Sequence, residues 1–195
     1  MTSPRVPHPS VLGISSRADL WIFAYGSLMW NPGFPFRQWA PALVYGYHRA
    51  LCIASDRWRG TPRRPGLVLG LERGGACRGI AFRVARCDVG NVLDELWARE
   101  IPRHAYRPRL VRTRLPDRGV QALTFIADSA QAGYAGPLSV AETAVRVANC
   151  RGERGPNLEY LMRTVAHLAE LGVRDHFLQR VLAAAQALSS GPPAV

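Results

Sequence analysis

A short apolar run, Leu20 to Ala24, ends directly in Tyr25-Gly26-Ser27-Leu28 and then in the Gly/Pro-punctuated stretch Asn31-Pro32-Gly33. An apolar run of this length bounded by turn residues reads as a buried strand entering a tight turn. Glycine in that turn lets the backbone come close to a ligand, because no Cβ stands in the way. Consecutive backbone N–H groups there form a concavity suited to an anion. A strand followed by an ordinary turn has the same pattern, so these residues gain meaning only with the rest of the chain.

The first half reads as β-rich. Candidate strands are Leu20–Tyr25, Ala42–Ser55, Gly66–Leu71, Arg78–Ala85, Tyr106–Leu115 and Val120–Ala127. Ile80, Phe82 and Val84 alternate with polar neighbours and share one face. Gly74-Gly75 is expected to join two of these strands as a short hairpin. A helix is expected to begin near Asp88, with Val92, Leu93, Leu96 and Trp97 at helical spacing, and to stop at Pro102. Asn157 reads as the N-cap of a helix with Leu158, Leu161, Val165, Leu168 and Gly172 on one face. A last helix is expected from about Asp175 to Leu188. Strands with one inserted helix, then terminal helices, make α+β the expected class. Residues 1–18 read as a disordered tail, 19–188 as one domain and 189–195 as a flexible tail.

The 195 residues carry a formal net charge of +11, which raises the possibility of a nucleic-acid partner. All 25 basic residues are arginine, scattered along the chain, and lysine is absent. A coding bias towards GC-rich codons explains that better than selection for a charged surface. Arg57-Trp58-Arg59 with Arg63-Arg64 is the one dense basic patch, and its tryptophan suits base stacking. The expectation is nevertheless no nucleic-acid partner and no membrane: no segment approaches the roughly 20 apolar residues of a spanning helix. Cys52, Cys77, Cys87 and Cys150 form no Cys-x-x-Cys pair, and the histidines have no metal-ligand spacing. This implies a reducing, cytoplasmic chain with no metal, and Cys52 as a small buried apolar residue.

Several separated motifs agree in order. They are Tyr25 to Pro35, Arg59-Gly60-Thr61-Pro62 with Pro65 to Leu71, Cys77 to Val84, Arg99-Glu100, Tyr106-Arg107-Pro108, Gly152 to Leu161 and Thr164 to Gly172. Together they resemble the ChaC-like γ-glutamylcyclotransferases, over about Leu20 to Leu182. The resemblance implies a small mixed β-barrel with flanking helices. It also implies a lyase that breaks glutathione into 5-oxoproline and cysteinylglycine without a cofactor. A monomer or weak dimer is expected. Other γ-glutamyl-amino acids or γ-glutamylamines are the alternative substrates, and a non-catalytic basic regulator is the alternative class.

Such a reaction closes a lactam by attack of the substrate's own α-amine on its γ-carbonyl, so tethering supplies much of the rate. One carboxylate can take the proton from the ammonium and return one to the leaving nitrogen. The resemblance gives that role to Glu100. An apolar helix surface formed by Leu93, Leu96 and Trp97 would raise its pKa; a surface glutamate paired with Arg99 or Arg103 is the plainer reading. Asp94 and Glu95 are expected to face solvent. Tyr25, Gly26, Ser27 and Leu28 are expected to bind substrate: backbone N–H groups and the Ser27 hydroxyl hold the α-carboxylate, and Tyr25 lies on the glutamyl chain or caps the core. Tyr160, on a stripe with Thr164 and His167 off the apolar face, is expected to bond substrate or Glu100, with packing at an interface as the plainer reading. Arg151-Gly152-Glu153-Arg154-Gly155 is expected to close over the site and place an arginine near the far carboxylate.

Overall fold

The computed structural model describes residues 12–14, 18–100 and 105–190. The tail assigned to 1–18 lies almost wholly outside the described residues, as do Pro102, Arg103 and residues 191–195. The chain forms two compact units, residues 1–49 with 70–131 and residues 50–69 with 132–195.

Five strands close a barrel in the order β1-β3-β2-β4-β5. They are β1 (Leu20–Ala24), β2 (Gln38–Ser55), β3 (Gly66–Val84), β4 (Tyr106–Arg114) and β5 (Gly119–Ala127). β1 pairs antiparallel with β3 (Ile22↔Phe82, Ala24↔Ile80) and parallel with β5 (Trp21↔Ala122, Ile22↔Leu123). A strand paired on both sides and covered on both faces has little use for polar alternation, which is why Leu20–Ala24 is continuously apolar. Thr124, fully buried on β5, donates its hydroxyl to the Phe23 carbonyl at 3.0 Å, so its polar atom costs nothing in the core.

Gly74 and Gly75 do not reverse the chain. β3 runs through them as one strand of 19 residues beside β2. Both glycines have positive φ, 97° and 69°, a local bend that lets a long strand coil around a small barrel without breaking. Gly46 in β2 also has positive φ (81°), and the β2–β4 ladder extends only to Val44↔Thr113 and Leu43↔Arg114.

α1 (Val89–Glu100) buries Val89, Val92, Leu93 and Leu96, the i, i+3, i+4, i+7 spacing of a helix lying on a core. Asp94 and Glu95 are exposed. Trp97 meets Phe125 edge-on, with ring centroids 5.6 Å apart. The β4–β5 ladder pairs all nine residues of each strand, from Tyr106↔Ala127 to Arg114↔Gly119, and carries the chain from the end of α1 back towards β1.

In the second unit α2 (Val140–Asn149), α3 (Asn157–Glu170) and α4 (His176–Ser190) pack on one another. Two-residue strands β6 (Arg151–Gly152) and β7 (Gly155–Pro156) form a hairpin before α3. α4 includes Ser189 and Ser190, whose hydroxyls bond the Ala185 and Gln186 carbonyls, so the helix outlasts the expected boundary at Leu188. Among the described residues no helix is long and apolar enough to cross a membrane.

Candidate active site

Glu100 is the last described residue of α1, and its side chain is 17% exposed. The buried face of α1 fixes the direction in which this helix end points. Arg99 stands beside Glu100, its Nε 3.4 Å from Glu100 Oε1. The ion pair of the plainer reading is therefore present, in a half-buried setting rather than on an open surface.

The turn after β1 is a single 3-10 turn, Ser27–Met29. Its backbone bonds run from Met29 N to Gly26 O and from Asn31 N to Ser27 O, both 2.9 Å, with Trp30 N also donating to Ser27 O; among the described residues they leave the N–H groups of Gly26, Ser27 and Leu28 unused. Leu28 and Met29 are buried, so the turn is held from below by its own apolar side chains. Tyr25 anchors it further. Its phenol donates to the Phe125 carbonyl at 2.7 Å, and its own carbonyl accepts from Arg49 Nε at 2.6 Å. Of the two roles open to Tyr25, the structure shows the one in the core. Leu28, likewise, offers the site its backbone and gives its side chain to the interior.

The turn and the helix end meet through one guanidinium. Arg99 Nη2 donates to Ser27 Oγ at 3.1 Å, and Nη1 donates to the Asn31 and Pro32 carbonyls at 3.1 and 3.2 Å. Residues 72 positions apart in sequence are thereby joined, and Glu100 and Ser27 share a neighbour. A backbone turn with unused N–H donors, a hydroxyl, a cation and a carboxylate form a set that can hold a carboxylate and move a proton.

Tyr160 belongs to the second unit. It is 6% exposed, and its hydroxyl accepts the Leu69 N–H at 3.2 Å. Thr164 is fully buried beside it and donates to the Tyr160 carbonyl at 2.8 Å. The Tyr160–Thr164 stripe therefore lies on the buried face of α3, not off it. Asn157 is the first residue of α3 and no cap: Pro156 stands at the N-cap position without a side-chain bond. The Asn157 carboxamide, fully buried, instead accepts the Leu67 N–H at 2.6 Å and donates to the Leu67 carbonyl at 2.7 Å.

Residues 151–155 are pinned. Glu153 N and Arg154 N donate to the Arg57 and Trp58 carbonyls at 2.9 and 3.0 Å. Arg57 Nε bonds both Glu153 oxygens at 3.0 Å, and the Arg154 guanidinium lies 4.0 Å from the Trp58 ring centroid. A Cβ on Gly152 would fall 2.3 Å from the Arg57 carbonyl oxygen, so this hairpin seats directly on residues 57–59. That is the geometry of a fixed turn, and it corrects the expectation of a closing loop. Arg57 also stacks on Trp58, at 4.4 Å, so the ring expected to suit base stacking carries two guanidiniums of its own. Burial is the largest influence on nearby Arg59 and lowers its pKa, with Glu159 and Tyr160 acting in the opposite sense.

His167 pairs with Glu170 at 2.9 Å on the surface of α3. Among the described residues no group of three or more His, Cys, Asp or Glu could hold a metal ion. Cys52, Cys77 and Cys150 are buried and Cys87 is exposed, and none of the four is in a disulfide among the described residues. A cavity of about 690 Å³ opens in the first unit where the β2–β4 ladder ends, lined by Tyr45, Tyr47 and β4; it contains none of the expected site residues.

Residues 20–188 match the model of the family described as ChaC-like protein. The chain belongs to the ChaC-like family. Among its relatives, the glutathione-specific γ-glutamylcyclotransferase of Escherichia coli K12 is 35% identical over 170 residues, 87% of this chain and 74% of that protein. Glutathione-specific γ-glutamylcyclotransferase 1 of Homo sapiens is 35% identical over 149 residues, 74% of this chain and 67% of that one. The crystal structure of a yeast γ-glutamylcyclotransferase specific to glutathione superposes with a TM-score of 0.83, covering 89% of this chain and 98% of that chain, at 21% identity. At that identity the likeness is one of fold, and it agrees with the α+β barrel described above.

Two residues at this candidate site of a ChaC-like chain escaped the sequence reading. Arg49 is 8% exposed and holds the Tyr25 and Arg78 carbonyls, each at 2.6 Å. Its position inside a long apolar strand is a signal, since a guanidinium is rarely buried without partners. Arg99 was legible as a neighbour of Glu100 but not as the link to Ser27, because that contact spans the fold.

Proposed function

We propose that this protein is a γ-glutamylcyclotransferase that cleaves glutathione, with Glu100 as its general base and acid. The observation that carries the reading is the Arg99 bridge, which holds the Ser27 hydroxyl and the Glu100 carboxylate against one guanidinium. The names of the Escherichia coli and human relatives support the choice of glutathione.

In this reading the turn N–H groups of Gly26, Ser27 and Leu28, with the Ser27 hydroxyl, take the α-carboxylate of the γ-glutamyl group. Glu100 accepts a proton from the α-ammonium. The freed amine attacks the γ-carbonyl, the amide C–N bond breaks, and Glu100 returns a proton to the departing nitrogen. The products, 5-oxoproline and cysteinylglycine, contain every atom of the substrate, so no water enters. The five-membered ring forms within one molecule, and the protein's main task is to hold that molecule folded.

The test is release of 5-oxoproline from glutathione, γ-glutamylalanine and a γ-glutamylamine, each supplied alone to the purified protein. Release chiefly from glutathione supports the reading. Release chiefly from either of the others keeps the chemistry and changes the substrate. No release from any of them overturns it.

A further inference from the structure

We infer that Arg99 is a positioning residue of this site: it fixes the Ser27 hydroxyl as a hydrogen-bond donor to the α-carboxylate of the substrate. The inference rests on the cyclotransferase reading above and adds a residue to it. A guanidinium donates and never accepts. At the 3.1 Å contact between Arg99 Nη2 and Ser27 Oγ, the serine oxygen is therefore the acceptor. A hydroxyl has one proton, which must then point elsewhere. Among the described residues Ser27 Oγ has no other recorded partner, and Ser27 is partly exposed, so the proton is presented outwards beside the unused N–H groups of the turn.

The rest of the guanidinium is held in place. Nη1 is bonded to the Asn31 and Pro32 carbonyls, and Nε lies against Glu100. The chain passes beside it at Gly33, whose φ of +72° favours glycine; a Cβ added there would sit in ordinary contact with Arg99 Nη1, at 3.4 Å. The planar fork thus meets a hydroxyl, two carbonyls and a carboxylate at once. A lysine keeps the charge but has no fork to span these partners.

The experiment uses glutathione and its analogue in which the glutamyl α-carboxylate is a carboxamide. The analogue retains the α-amine and can still cyclise, but offers no anion to the turn. Wild type, Arg99→Lys, Arg99→Met and Ser27→Ala are compared on both by release of cysteinylglycine, the product common to the two (the ring product is 5-oxoproline from glutathione and its amide from the analogue), with thermal unfolding of each as a check. For Arg99→Met and Ser27→Ala the expected loss in kcat/KM on glutathione is about 10- to 100-fold, the range of one hydrogen bond to a charge. On the carboxamide the loss should be at least about tenfold smaller. Arg99→Lys should follow the same split, and with Ser27→Ala it carries the test if Arg99→Met does not fold. Equal losses on the two substrates in folded variants would overturn the inference while leaving the cyclotransferase reading in place. A wild type inactive on both would overturn that reading instead.

Discussion

Asn157 spends its whole carboxamide on one residue of β3, and the consequence is measurable. Its oxygen and nitrogen satisfy the Leu67 N–H and C=O, and both Asn157 and Leu67 are fully buried. Asn157→Ala would leave two buried backbone groups without partners, at a cost of about 3 kcal/mol. Urea unfolding should show that loss at unchanged m-value; a change under about 0.5 kcal/mol would mean that water or a neighbour replaces the amide. Tyr160→Phe removes the acceptor of the Leu69 N–H and should cost about 1 kcal/mol with KM for glutathione unchanged. A raised KM at wild-type stability would instead give the phenol the substrate contact that its sequence position suggests. At this scale the sequence misleads for one reason: an Asn just after Gly-Pro at the start of a helix looks like a cap, and only the neighbouring strand shows that its side chain faces inward.

Among the elements, α2 shows most clearly what a sequence can hold without being read. Ser139 accepts the Glu142 N–H at 3.2 Å, and Glu142 Oε2 accepts the Ser139 N–H at 2.9 Å and its hydroxyl at 2.6 Å, a complete capping box. The S-x-x-E signature is present in the chain, but the helix is only 10 residues long and rich in valine, so local propensity argues for it weakly. Hydrogen bonds from the Ser139 side chain and backbone hold the Glu142 carboxyl below its ordinary pKa. A group whose folded pKa is lowered stabilises the fold above its unfolded pKa and loses that contribution as pH falls through the folded value. Ser139→Ala should therefore lower stability at neutral pH, and the gap from wild type should narrow on acidification below the ordinary glutamate range. A gap that widens with acid would contradict the box. Strand positions, by contrast, were largely legible, because β1 and the second half of β3 follow burial directly. The expected hairpin at Gly74-Gly75 failed because two adjacent glycines suit a turn and a coiled long strand equally well.

For the molecule as a whole, the separated motifs Tyr25–Leu28 and Arg99-Glu100 make sense only when the barrel and α1 have closed the first unit around them. Each half of that pairing was visible in the sequence. The contact that couples them was not, because Arg99 and Ser27 lie 72 positions apart and meet only in the fold. The abundance of arginine makes the net charge of +11 a poor guide to partners: Arg57 and Arg154 are committed to Trp58 and Glu153, and Arg49 and Arg99 to backbone carbonyls. The measurement that bears most directly on the account is the rate of 5-oxoproline formation from glutathione by wild type and Glu100→Gln, with cysteinylglycine quantified alongside. The account predicts equimolar products from wild type and a loss in kcat of at least about 100-fold in a folded Glu100→Gln. A folded Glu100→Gln that keeps most of the wild-type kcat would contradict it.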